Sequence, residues 1–255
     1  MILSIDTDAA IVEVEENGGR RAIPFSDPEA FAIVSKAWLR VGWDVKYVYG
    51  FTWLGRPIIQ LPEDIVRLQE VIFRTKPDVI VETGVAHGGS LVLSASICEL
   101  LGRGAVIGVD VEIRPHNREA ILAHPLAGRI TLIEGGSTEP GTFERVRQAV
   151  GEAERVLVLL DSSHTREHVL QELRLYSSLV SVGSYIGVAD GIMRDLVGAP
   201  RAADDWSSNN PSSAVDSFLA DDDRFIRDRP APPFNEGSVE DEVTYWPGGW
   251  LLRVS

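Results

Sequence analysis

A single cysteine, Cys98, is all the sequence holds, and one thiol excludes an intrachain disulfide. It falls in the apolar stretch LVLSASICELL, the setting of a buried, inert side chain rather than a reactive one. Basic residues are few against acidic ones, 24 to 38, which leaves a formal net charge of −14. That deficit argues against a nucleic-acid backbone, where Lys and Arg neutralising phosphates supply most of the affinity. It argues equally against an anionic membrane surface. No apolar run reaches the 18 residues of a membrane-spanning helix, so no membrane insertion is expected. The opening residues, MILSIDTDAA, carry no basic group ahead of their short apolar run. No signal peptide is expected, and the cytoplasm is the default location. Internal repeats and low-complexity tracts are missing as well.

What is there is a chain of 255 residues, 44% of them apolar, enough for one large core or a domain with a small appendage. Ile11, Val12 and Val14 lead into Asn17-Gly18-Gly19, and Ala22-Ile23-Pro24-Phe25 leaves it. Asn-Gly supplies the positive φ angles of a tight hairpin turn. Residues 27–45 carry Ala30, Phe31, Ile33, Val34, Ala37 and Trp38 at helical spacing. Residues 46–61 are aromatic and irregular, either a surface loop or a segment that covers a ligand. We place a hairpin, helix and lid extension over 1–61 and the main domain over 62–255.

From Pro62, suited to a first helical turn, short and nearly all-apolar runs alternate with helical segments. The runs are Val79–Val81, Ala105–Val109, Ile130–Ile133, Val156–Leu160 and Tyr185–Val188. Strands of that kind are buried on both faces, as in a parallel sheet, and their alternation with helices builds right-handed βαβ units. The expected fold class is α/β, doubly wound and mostly parallel. Past Asp190 the rhythm breaks. Residues 191–213 are polar, a short helix is expected near 212–220, and a Pro-rich loop at 229–233 precedes a terminal hairpin or strand ending in Trp250–Val254. Trp246 and Trp250 read as packing residues, and His116 and His124 as surface ones.

Four groups of residues follow the carboxyl ends of these strands, the edge where open α/β sheets bind ligands. Glu82-Thr83-Gly84-Val85-Ala86-His87-Gly88-Gly89-Ser90 combines a flexible turn with a helix N-terminus offering free N–H groups. An ordinary βα turn would look the same, but an acid ahead of the first glycine suits a cationic, amine-bearing ligand better than a pyrophosphate. Asp110 ends the next strand, where a carboxylate can accept both hydroxyls of a ribose or simply cap the following helix. Asp161-Ser162-Ser163-His164 ends a third strand: Asp161 can ligate a metal and His164 can take a proton, or Asp161 or a neighbouring Ser caps the next helix and His164 is solvated. Asp190 ends a fourth. Paired parallel strands lie about 4.8 Å apart, so Asp161 and Asp190 can converge on one cation, and hard oxygen donors favour Mg²⁺. His164 and His168 are four apart, which on a helix shares a face and with Asp161 would imitate a two-His-one-carboxylate iron site.

The ordered stretches PIIQLPEDIVRLQEVIFRTKPDVIVETGVAHGGSLVLSASICELL, VIGVDVEIRPHNREAILAHP, RITLIEGGST and VLVLLDSSHTREHVLQELRLYSSLVSVGSYIGVAD resemble the cephalosporin-hydroxylase-like (CmcI-type) family. The resemblance spans roughly 50–190 and fades at both ends. It implies a seven-stranded Rossmann-like methyltransferase sheet, S-adenosylmethionine (SAM) as methyl donor, Mg²⁺ as helper, and a hydroxyl of a sugar-containing small molecule as acceptor. Relatives commonly associate, so a homo-oligomer is expected. Carried onto this sequence, Gln60, Glu82, Gly84, Ser90 and Asp161 would belong to the SAM site, Asp110 would hold the ribose, and Gly136-Ser137 would lie near the adenine or ribose. Asp161 and Asp190 would be metal ligands and His164, in D-x-x-H, the general base. The family often carries two adjacent acids where this chain has Ala189-Asp190. That departure leaves open a weaker site, one completed by Asp195, or catalysis without metal. The alternatives are a metal-dependent hydroxylase of a secondary metabolite and a SAM-binding protein without turnover. The loops 46–61, 191–213 and 227–240 are expected to form the acceptor pocket.

Overall fold

A computed structural model describes residues 1–255. The chain opens with β1 (Ile2–Asp6), β2 (Ile11–Glu16) and β3 (Gly19–Pro24). Asn17 at φ 53° and Gly18 at φ 78° close the β2–β3 hairpin, both positive as such a turn requires. β1 adds an antiparallel strand to β2 that sequence patterning did not reveal. Helix α1 (Pro28–Asp44) starts at Asp27, whose carboxylate accepts the Glu29 N–H at 2.9 Å, and its Ala30 shares a small core with Val12, Val14 and Ile23. A 3₁₀ turn at Tyr47–Gly50 and the hairpin β4 (Phe51–Trp53)–β5 (Arg56–Ile58) follow.

The large sheet then builds through α2 (Pro62–Thr75), β6 (Val79–Thr83), α3 (Gly89–Leu100), β7 (Ala105–Asp110), α4 (Pro115–Leu122), β8 (Ile130–Glu134) and α5 (Pro140–Val150). It continues through β9 (Val156–Leu160), α6 (Arg166–Tyr176), β10 (Tyr185–Val188), α7 (Pro211–Asp221), β11 (Phe225–Arg227) and β12 (Trp250–Arg253). Every residue of β6 and β9 is buried, which is why their sequences read as unbroken apolar runs. Alternate residues face opposite layers: Ile80 and Leu157 meet α2 and α3 through Leu68, Ile72, Leu93 and Ile97. Val81 and Val158 meet α6 and α7 through Leu173 and Phe218. Each such side chain contributes about 1.5–3 kcal/mol when fully withdrawn from water. Cys98 lies in the first of these layers, and burial pushes its thiol up to about 11, as expected of an inert cysteine. Trp246 and Trp250 pack at 5.5 Å between ring centroids.

The seven strands run in the order β11-β12-β10-β9-β6-β7-β8. Those from β10 to β8 are parallel, and β12 and β11 are antiparallel additions. This is the doubly wound, mostly parallel sheet that the sequence predicts. Chain order reverses between β6 and β9, the topological switch point at which such sheets open a crevice. Register fixes what borders it: Thr83 lies opposite both Val109 and Leu160, and Leu160 opposite Val188. The segments beginning at Gly84, Asp110, Asp161 and Ala189 therefore leave the sheet along one line.

Candidate active site

Gly84 is the first residue past β6, and its φ of +93° is one that L side chains rarely adopt. The site demands glycine for a second reason: a Cβ there would lie 1.9 Å from the Asp161 carbonyl oxygen. The loop and the end of β9 thus touch at the switch point. Asp110 braces the same loop. Its Oδ2 accepts the N–H groups of Val85 at 2.8 Å and Ala86 at 3.2 Å, and its Oδ1 accepts that of Glu112 at 3.2 Å. Two residues that sequence reasoning missed complete the brace. Arg56 donates to the His87 carbonyl at 2.6 and 2.9 Å and to Asn117 Oδ1 at 3.0 Å. Asn117 in turn donates to the Ala86 carbonyl at 2.8 Å.

Beneath the loop lies Glu82, 1% exposed. The Ser90 hydroxyl donates to its Oε1, while its Oε2 is buried with no partner. Burial pushes this carboxyl up to about 8. A buried acid with one unanswered oxygen is the group a cationic ligand would complete. Gln60 is 5% exposed and likewise has a buried, unpartnered oxygen, Oε1. Gln60, Gly84, Ser90 and Asp161 line one cavity of about 50 Å³. It is narrow because the 57–60 segment lies directly on the glycines: a Cβ on Gly89 would stand 2.1 Å from the Pro57 carbonyl oxygen. The aromatic segment over 46–61 is therefore a cover on the loop. Gly136 and Ser137, past β8, do not line this cavity.

Asp161, His164 and Asp190 bring three donor atoms within 4.8 Å of one another. His164 Nε2 stands 3.3 Å from Asp190 Oδ2. Asp161 is pushed up to about 6, first by burial and then by the Asp190 charge, with His164 and the Gln60 amide acting the other way. Two facing carboxylates form an oxygen donor pair that a hard divalent cation fits, and such a cation would relieve the repulsion. Asp190 adopts a left-handed φ of 56°, a strain that costs of order 1–3 kcal/mol and recurs at functional sites. Ala189 is 2% exposed and packs in the core beside Ile192 and Trp246. The acid missing at 189 is thus replaced by core packing. Asp195, exposed in a 3₁₀ turn, takes no part in the cluster; His164 stands beside the two acids instead.

Two sequence expectations need correction. His164 and His168 do not share a helix face, because Thr165 caps α6 by accepting the His168 N–H at 3.4 Å and leaves His164 in the preceding loop. His168 turns away to Ser137 Oγ and Ser162 Oγ, each at 3.1 Å, and to the fully buried Glu172 at 3.4 Å. The imitation of a two-His iron site falls with that. His124 is half-exposed, and its Nε2 meets the Leu54 carbonyl at 3.1 Å. Second, the 227–240 loop does not line the cavity that Asp190 borders; with Glu63, Asp64 and Arg67 of α2 it encloses a separate cavity of about 560 Å³. The cavity that Asp190 does line, about 100 Å³, is walled by residues from α1, the 46–61 cover, Arg201 and Tyr245. Ile59 borders both this cavity and the one over the glycines.

Comparison with known proteins settles the family. The sequence model of the Rhamnosyl O-methyltransferase/CmcI family matches residues 45–254. The chain belongs to this family. A rhamnosyl O-methyltransferase of Mycobacterium leprae is 27% identical over 59% of this chain and 64% of its own length. One from Mycobacterium tuberculosis strain H37Rv is 30% identical over 54% of this chain and 56% of its own. The chain thus spans less than two thirds of these curated relatives. A structure of CmcI with Mg and SAM is 21% identical, with a TM-score of 0.55 over 81% of this chain and 78% of that one, a likeness that carries the fold. No helix is long and apolar enough to cross a membrane.

Proposed function

We propose that this protein is a SAM-dependent O-methyltransferase that alkylates a sugar hydroxyl with help from a divalent cation. The observation that carries this reading is the meeting of two cavities on either side of Asp161, His164 and Asp190 at the switch point of the sheet. The family membership and the names of the mycobacterial relatives support the sugar as acceptor. Residues 62–255 would form the methyltransferase unit and 1–61 its hairpin, helix and lid.

On this reading Glu82 and Ser90 hold the amino end of the donor, the Gly84 loop takes its body, Asp110 offers its remaining lone pairs to the ribose, and Gly136-Ser137 border the base. Segment 57–60 lifts to admit it and closes to exclude water. SAM bound there would supply the electrophilic methyl carbon, and Mg²⁺ held by Asp161 and Asp190 would supply positive charge favouring loss of the hydroxyl proton. The residues must then keep the acceptor oxygen about 3–3.5 Å from that carbon and in line with the sulfur. Transfer would form the C–O bond as the C–S bond breaks, the electron pair staying on sulfur. The proton passes to the His164 imidazole, which Asp190 holds in place through Nε2.

The test is transfer of a deuterated methyl group from SAM to a panel of glycosides, read by mass spectrometry with and without chelator, beside calorimetry of SAM binding. Methylated sugar that disappears on chelation is the expected result. Absence of any heat on adding SAM would sink the reading.

A further inference from the structure

The small cavity beside Asp190 carries charge that a neutral sugar does not require. Its wall includes Trp43, Lys46, Tyr49, Asp190, Arg201 and Tyr245. Lys46 and Arg201 are both cations without a carboxylate within 4.0 Å, in a chain whose acidic residues outnumber its basic ones by 38 to 24. Asp44, two residues from Lys46, pairs with Arg40 instead. The Lys46 ammonium lies 5.3 Å from the centroid of the Tyr49 ring, a contact that orients it and leaves its N–H donors free. Arg201 gives one N–H to the Trp43 carbonyl at 3.0 Å and keeps the rest of its five-donor fork.

The backbone is bent to put them there. Eight residues other than glycine have a positive φ in this protein, and three of them, Lys46 at 58°, Asp190 at 56° and Arg201 at 70°, wall this one cavity. Lys46 follows the last turn of α1, where glycine or asparagine is the usual residue in that conformation. Strain of this kind collects at ligand clamps. The aromatic rings complete the picture, since Trp43 and Tyr245 meet edge to face at 5.5 Å and form an apolar wall suited to the C–H face of a sugar.

We infer that this cavity takes an acceptor sugar carrying a negatively charged substituent, which Lys46 and Arg201 hold while the hydroxyl faces Asp190. The inference rests on the methyl-transfer reading and adds the class of substrate. A carboxylate on the sugar and a phosphate ester share the recognising chemistry, and the experiment separates them.

Glucuronate, glucose 1-phosphate and glucose are titrated calorimetrically into the protein with S-adenosylhomocysteine and Mg²⁺, and into the protein alone. The proteins are wild type, Lys46→Gln, Arg201→Gln and the double variant. At least one anionic sugar is expected to bind about tenfold tighter than glucose, the combined effect of two partly exposed charge contacts. Preference for glucuronate alone assigns a carboxylate, and for glucose 1-phosphate alone a phosphate. Each single variant should lose part of the preference and the double variant all of it, with unchanged affinity for S-adenosylhomocysteine. Glucose binding as tightly as both anions, neither anion binding, or a preference surviving in the double variant overturns the inference. Wild type that fails to bind S-adenosylhomocysteine sinks the methyl-transfer reading instead, and the titrations without it then decide the anion preference separately.

Discussion

His164 Nε2 lies 3.3 Å from Asp190 Oδ2, across a strand boundary and 26 residues apart in the chain. The pair exists because Thr165 starts α6 one residue late, leaving His164 in a loop that leans toward β10. Asp190→Asn keeps the side-chain shape and removes the charge that both holds the imidazole and serves a cation. The Mg²⁺ concentration giving half-maximal activity is expected to rise about ten- to a hundredfold, measured by titrating chelated enzyme. His164→Ala is expected to lower turnover about 10²–10⁴-fold with SAM affinity retained.

Gly84→Ala should be among the most damaging single changes to the molecule. The new methyl meets the Asp161 carbonyl oxygen at 1.9 Å and the backbone sits at φ +93°. Strain in the left-handed region and overpacking together cost about 2–5 kcal/mol. Urea denaturation reads that loss, and SAM binding is expected to fall with it because Val85, Ala86 and Asp161 cannot keep their places.

Asp64 links α2 to the C-terminal segment, accepting the Thr244 hydroxyl and the Tyr245 N–H, the latter at 2.9 Å. Burial pushes its carboxyl up to about 7, above the usual value near 3.9. A raised carboxyl binds its proton more tightly in the folded chain. Its contribution to stability is therefore complete below about pH 4 and lost as the pH rises to about 7, at up to about 1.4 kcal/mol per pH unit. Chemical denaturation of wild type against Asp64→Asn across pH 4–8 should show this slope in the first and its loss in the second. Parallel curves would remove Asp64 from the account.

Glu172 is fully buried, accepts the Ser162 hydroxyl at 2.7 Å and has an unpartnered Oε2. Its hydrogen bond to His168 holds that imidazole above its ordinary pKa. A raised histidine stabilises the fold below about pH 6.5 and ceases to as the pH climbs through its folded value. Glu172→Ala is expected to cost about 1–3 kcal/mol, more at pH 6 than at pH 9. Because His168 also meets Ser137 and Ser162, thermal melts should show a smaller shift on SAM addition in this variant.

The sheet was legible because a strand buried on both faces leaves no choice of residue: Val156–Leu160 is apolar throughout and forms β9 with those bounds. The N-terminal turn was equally plain in Asn17-Gly18. Three-residue strands such as β4, β5 and β11 carry too few positions to show a period. At the site, the strand-end acids Asp161 and Asp190 stood out, but the long-range pairs that brace the surrounding loops did not. Arg56 and Asn117 are 61 residues apart, and Asp64 and Tyr245 are 181. Nothing local marks such pairs, since either partner alone reads as an ordinary helix or hairpin residue. The misplaced face of His164 and His168 had a visible remedy: Thr165 is a helix-capping residue, and counting α6 from it puts His164 outside.

The switch point divides labour as well as topology. Everything built around the glycines hangs from β6, β7 and β8, whereas Asp161, His164, Asp190 and Arg201 follow β9 and β10, and the 46–61 cover, Gly84's contact with Asp161 and the Ser137–His168 hydrogen bond straddle the seam. On the methyl-transfer proposal, one flank can be exchanged for another recipient molecule while the flank that would carry the methyl source stays as it is.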